Sequence, residues 1–236
     1  MRKIKWGVLG TAYIFERDTA RGMALAENCE LVAIAGRTLE KALAFKEKYG
    51  FARAYGNYDA LLADPEIEAV YIPLPNTMHY EWTLRALRKG KHVLCEKPLA
   101  PTAQEADEMF RVAKENGVHL MEAFAYQHSP LVQAVRDEID RGAIGGVRYV
   151  EAALITSDYD MSNIRMRRET LGGCTYDLGV YAMSFIQRMM GREPKDVRAV
   201  ASFAQNHIDS YTTGVFEYDD GAKAVSYTHL TLPTIA

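Results

Sequence analysis

The sequence predicts an α/β chain: a parallel sheet covered on both faces in the first half, followed by an α+β region. Two observations predict it. Up to about residue 123, short apolar strands alternate with amphipathic helices, the pattern of βαβ units. Beyond that point, longer β-branched and aromatic stretches carry only two helices between them. The boundary is therefore expected near residues 123–128. The 236 residues are 48% hydrophobic and 25% charged, with a net charge of −3, ordinary for a soluble globular protein. That balance gives no argument for a nucleic-acid partner.

The apolar runs are far shorter than the ~20 residues of a membrane helix. The N-terminus shows no apolar leader segment, so no secretory signal is expected. Cys29, Cys95 and Cys174 form no CxxC pair. They argue against a disulfide framework or metal cluster and suit a reducing cytoplasm.

Residues 3–9 form a strand candidate, and 14–26 a helix with Ile14, Met23 and Leu25 among its apolar positions. Residues 31–35 give a strand and 39–49 a helix behind the capping residue Thr38. A short helix at 58–63 comes after Asn57, then a strand at 69–72 and a helix at 78–89 stopped by Gly90. A strand at 92–95 precedes a helix at 103–116, opened by the pair Thr102 and Glu105 and closed by Gly117. A strand at 118–121 completes the series. The second half offers a helix at 131–141 ended by Gly142, strands at 147–156, 196–203 and 211–218, and a helix at 176–190.

Between the first strand and first helix stands Gly7-Val8-Leu9-Gly10-Thr11-Ala12. Glycines here let the backbone approach a pyrophosphate, and the helix N-terminus supplies N–H groups and a positive dipole end. A plain tight turn would use the same glycines; the place between strand and helix supports the phosphate reading. The second strand ends at Arg37 and Thr38, where a carboxylate would suit the ribose of NAD. A guanidinium there suits a 2′-phosphate, so NADP is expected over NAD.

Glu96-Lys97-Pro98 comes after another strand. Pro98 restricts Lys97 to an extended shape, and such a lysine can share its proton with a substrate oxygen; a simple surface turn would also fit. Pro73, Leu74 and Pro75 shape a stiff ledge for a nicotinamide, with Asn76 and His79 as hydrogen-bonding groups or as part of a capped helix start. Asp177 and Tyr181, spaced i, i+4, share a helical face. A carboxylate there can bind a polyol and a phenol can exchange a proton. An acid favoured by the helix dipole beside a half-buried tyrosine would look the same.

In their order, Gly7-x-x-Gly10-x-Ala12, Glu96-Lys97-Pro98, Met121-Glu122-Ala123-Phe124, Gly142-Ala143-Ile144-Gly145 and Gly172-Gly173…Asp177-x-Gly179-x-Tyr181 resemble the Gfo/Idh/MocA family of NAD(P)-dependent oxidoreductases. The resemblance covers about residues 3–223. It implies a Rossmann doubly wound parallel sheet followed by an α+β domain whose open, mainly antiparallel sheet packs a dimer. It also implies that Lys97 is the catalytic lysine and that Lys97–Pro98 is cis. Tyr181 and Arg37 look more like the dihydrodiol dehydrogenase and glucose–fructose oxidoreductase branch than the inositol dehydrogenases.

The expected function is hydride transfer between NADP, or NAD, and a sugar, diol or related carbonyl. Tyr181 would exchange the proton, Lys97 relay it or lower the phenol's pKa, and Asp177 orient substrate hydroxyls. Gly7, Gly10, Thr11, Ala12, Arg37, Thr38, Pro73, Leu74, Asn76, His79, Glu96 and Lys97 would hold the dinucleotide, with no metal. A non-catalytic NADP-binding sensor and an inactive truncated fragment are the alternatives. Residues 225–234 coincide with the translation of a transposase adaptor used in sequencing libraries. The expectation is therefore domains at 1–123 and 124–224, with 225–236 a non-native read-through tail and later strands of the second sheet missing.

Overall fold

A computed structural model of the chain describes residues 2–156 and 162–230. It divides into two compact units, Met1–Ala123 and Phe124–Ala236.

The first unit is built on strands β1 (Ile4–Leu9), β2 (Cys29–Ala35), β3 (Arg53–Tyr55), β4 (Ala69–Ile72), β5 (His92–Cys95) and β6 (Leu120–Glu122). They form one sheet in the order β3-β2-β1-β4-β5-β6, every pair parallel. Helices α1 (Ala20–Leu25), α2 (Leu39–Tyr49), α3 (Tyr58–Leu62), α4 (Asn76–Arg88) and α5 (Ala103–Glu115) connect them. Alternate strand residues feed two cores. Leu9, Ala33, Val70 and Ile72 pack with Leu61, Leu84, Leu87 and Met109 on one face; Val8, Ile34 and Tyr71 pack with Phe15 and Phe51 on the other. Phe15 is fully buried, worth about 1.5–3 kcal/mol relative to exposure.

The local signals explain the helix starts. The Thr38 hydroxyl accepts from the Lys41 N–H, the Asn57 amide oxygen from Ala60, and Thr102 from Glu105. Three details differ from the sequence-based expectation. β3 is an unanticipated short strand. The helix at 78–89 begins at Asn76 with Pro75 at its N-cap, so Asn76 lies inside the helix rather than capping it. Before α1, residues Phe15–Thr19 form a π-turn in which the Ala20 N–H reaches the Phe15 carbonyl. Such an inserted residue rotates the rest of the helix by about 100°. Phe15 thus points inward, while Leu25, expected on the apolar face, is 71% exposed.

The second unit carries α6 (Pro130–Asp140), α7 (Val180–Met190) and strands β7 (Tyr149–Thr156), β8 (Asp196–Phe203), β9 (Asp209–Glu217) and β10 (Lys223–Leu230). The sheet order is β7-β10-β9-β8, with β10 parallel to β7 and antiparallel to β9, and β8 antiparallel to β9. Ile186 and Met190 of α7 pack on one face against Phe216 and Ala224. The other face presents Ala153, Ile155, Val200, Val215 and Tyr227, all half-buried or exposed. Residues 225–230, expected to belong to a non-native read-through tail, form most of β10, with Ser226, Thr228 and Leu230 turned inward. The remainder of that segment, 231–236, lies outside the described residues. Among the described residues, no helix is long and apolar enough to cross a membrane, and no cluster of three or more His, Cys, Asp or Glu side chains could hold a metal.

Candidate functional site

Four loops of the first unit leave the carboxyl ends of neighbouring strands: 10–12 after β1, 36–38 after β2, 73–75 after β4 and 96–98 after β5. The strand order reverses between β1 and β4, the place where open α/β sheets receive ligands.

Gly10 adopts φ +118°, and a Cβ on it would lie 2.9 Å from Leu74 Cδ2. The residue therefore turns the chain and lets two loops touch. The Phe15 N–H bonds the Ala12 carbonyl at 3.1 Å, so the helix opens beside half-buried Thr11 and Ala12, with its leading N–H groups directed to the loop. Gly7 has a different task. It lies within β1, where a Cβ would come 2.7 Å from Leu61 Cδ2; it makes room for α3 rather than for a phosphate.

Arg37 is exposed at the end of β2, and Glu40, the nearest acid in sequence, is already on α2. An open helix N-terminus, a glycine at close approach and a guanidinium beside the second strand fit a dinucleotide with an extra phosphate. Pro73 and Leu74 are buried, with Pro75 and Asn76 half-buried beside them.

His79 is fully buried, with Nδ1 2.7 Å from the Pro98 carbonyl and Nε2 2.7 Å from the Leu74 carbonyl. It stands beneath the loops rather than on their ligand face. Burial pushes its pKa down, against the pull of the two carbonyls. Lys97–Pro98 is cis. The Glu96 carboxylate is turned inward: Oε1 accepts from the Tyr71 hydroxyl at 2.6 Å and Oε2 from the Lys97 N–H at 3.3 Å. Thr19, on the π-turn, donates to the Tyr71 oxygen at 3.0 Å. Burial and the Glu96 charge push the Tyr71 hydroxyl far above the usual phenol range, so it stays a donor. Glu122 accepts from the Leu99 N–H at 2.8 Å. Burial raises the Glu122 pKa.

In the second unit, Tyr181 lies in the first turn of α7, edge-on to Phe124 at 5.4 Å between ring centres. It lines a cavity of about 570 Å³ with Tyr126, Glu151, Leu154 and Phe185. Just before α7, residues Thr175–Gly179 make a second π-turn, a feature common at functional sites. Asp177 on that turn is 6% exposed and accepts from Arg165 Nε at 2.7 Å.

Gly173 adopts φ +115°, and any side chain there would clash with the Asp209 carboxylate. Asp209 Oδ2 accepts from the Thr175 N–H at 2.7 Å and from the Cys174 thiol at 3.1 Å. Burial pushes Cys174 up to about 11, so it is a packing thiol rather than a nucleophile. Sequence reasoning missed Tyr71, Arg165 and Asp209 and gave Glu122 no role. Their partners in these bonds are 12 to 52 residues away, too far apart for spacing to pair them.

Comparison with known proteins gives two family matches: "Oxidoreductase family, NAD-binding Rossmann fold" over residues 4–124 and "GFO/IDH/MocA C-terminal domain" over residues 132–234. D-xylose 1-dehydrogenase (NADP(+)) 2 of Haloferax volcanii is 36% identical over 225 residues, covering 93% of this chain and 67% of the relative. Trans-1,2-dihydrobenzene-1,2-diol dehydrogenase of Xenopus laevis is 31% identical over 223 residues, covering 94% and 67%. The chain thus spans about two thirds of these relatives. Among solved structures, KijD10, a 3-ketoreductase from Actinomadura kijaniata in complex with NADP and TDP-benzene, superposes with a TM-score of 0.89 at 33% identity, covering 97% of this chain and 70% of that one.

Proposed function

The chain belongs to the Gfo/Idh/MocA oxidoreductase family, and from that premise we propose that it transfers hydride between NADP and a sugar, diol or related carbonyl. The observation that carries this reading is the convergence of the Gly10 loop, Arg37 and the Lys97 turn at one sheet edge, where the strand order reverses. When bound, the nicotinamide supplies or accepts the hydride. The N–H groups beyond Gly10 hold the pyrophosphate, Arg37 and Thr38 the 2′-phosphate, and the Pro73–Leu74 ledge keeps water from the ring. Lys97 shares its proton with the reacting oxygen, and in the second unit Tyr181 offers a phenol able to exchange a proton with a hydroxyl or carbonyl. Asp177, oriented by Arg165, accepts substrate hydroxyls.

The relatives named for xylose and dihydrodiol substrates support this substrate class. The bare sheet face of the second unit supports a homodimer, and three free cysteines support a reducing, cytoplasmic setting. A nicotinamide absorbance assay across sugars and diols, run with NADP and NAD, tests the reading. Turnover with NADP is expected; tight NADP binding without turnover of any substrate would leave a sensor instead.

A further inference from the structure

We propose that His79 and Glu122 are positioning residues for the Glu96-Lys97-Pro98 turn, fixing the backbone beyond Lys97 and so the direction in which its side chain leaves the sheet. This rests on the reading of Lys97 as the proton-handling group.

The turn has little ladder support of its own. The last sheet bonds at this point are those of the Glu96 N–H to Ile72 and the Ala123 N–H to the Cys95 carbonyl. Past them, side chains hold the backbone. Glu96 takes the Lys97 N–H at 3.3 Å, His79 faces the Pro98 carbonyl at 2.7 Å, and Glu122 takes the Leu99 N–H at 2.8 Å. Pro98 has no N–H to offer, so these groups grip both sides of it. They come from separate elements: His79 from α4 and Glu122 from β6. A carbonyl only accepts, so His79 must donate. A neutral ring donates to one of its two carbonyls, and the imidazolium donates to both. The same ring ties the Leu74 loop to the turn at 2.7 Å, linking the proposed nicotinamide ledge to the proposed proton donor.

Glu122 grips Leu99 with a half-buried carboxyl, which burial penalises and which the Lys97 charge favours ionising. Small misplacements of a reacting group are costly, a shift of about 1 Å reaching roughly 100-fold in rate.

The test compares Glu122→Ala, Glu122→Gln and His79→Gln with the parent chain. It reads kcat and KM for NADPH-dependent reduction of a sugar, NADP affinity by nicotinamide fluorescence, and hydrogen exchange at the Leu99 amide. For Glu122→Ala, kcat should fall about 10- to 100-fold while NADP affinity stays within about threefold, and the Leu99 amide should exchange faster. Glu122→Gln should recover most of kcat, because its amide oxygen still accepts from Leu99.

Unchanged kcat with faster exchange would overturn the proposal. So would parallel losses of kcat, NADP affinity and melting temperature, the pattern of a structural role. Should His79→Gln fail to fold, the Glu122 pair decides alone. Lys97→Ala run alongside separates the premises: full activity in that variant refutes the role of Lys97 itself, whatever Glu122 does.

Discussion

The two sheets solve the burial problem in opposite ways. In the first unit, β4 reads Ala-Val-Tyr-Ile and all four side chains are buried, because helices cover both faces. In the second unit, β8 exposes nearly every residue, including Val200 and Phe203 at 72% and 68%. A sheet covered twice offers its ligand site only at its carboxyl end, where loops rest on a rigid base. A sheet covered once leaves an apolar face for another surface. On the proposed reading, the first unit concentrates its chemistry at an edge, whereas the second offers a face and the first turns of α7 for recognition.

Substitutions put this contrast to the test. The largest effect is expected for Lys97→Ala at the covered sheet's edge: turnover should drop by roughly 10²–10⁴ with NADP affinity nearly unchanged, as a nicotinamide absorbance assay would read. Phe15→Ala, beneath that edge, should cost about 3–5 kcal/mol in stability, measured by denaturant titration; a loss below about 1 kcal/mol would mean that this face is loosely covered.

Arg37→Asp should weaken NADP binding about 10- to 100-fold relative to NAD, given the ~1.5–3 kcal/mol of a hydrogen bond to a charged group. Equal losses for both would remove the 2′-phosphate assignment. A smaller effect concerns pH. Burial, joined by the Glu96 charge, raises the Glu122 carboxyl above its ordinary 4.5. The folded state holds that proton longer than the unfolded chain, so its contribution is most favourable below about 4.5 and declines as pH rises through the folded value. Glu122→Gln should flatten the fall of melting temperature over that window; identical slopes would refute it. The smallest effect belongs to the bare face. Val200→Lys should change monomer stability by no more than about 0.5 kcal/mol, yet shift any self-association toward monomer in sedimentation.

The reach of each interaction decided whether it was legible in the sequence. Thr38, Asn57 and Thr102 could be read as caps because each partner lies three residues on. The parallel sheet could be read from its apolar strands. Gly7 looked like a phosphate glycine because spacing cannot show that Leu61 will press against it. His79 looked available for a ligand because its acceptors, Leu74 and Pro98, meet only after α4 folds back over β5. The π-turn at Phe15–Thr19 shifts the helical phase by about 100°, which turns Leu25 away from the face its spacing suggests.

Strand β10 has a further consequence for how the protein is made. Among the described residues, β7 pairs with β10 alone in its sheet, joining Tyr149 to Lys223 and Thr156 to Leu230. At about 5–20 residues per second on the ribosome, the earlier strand emerges several seconds before its neighbour. Until then its unpaired edge is open to other chains, a liability that chaperone cover during synthesis would blunt.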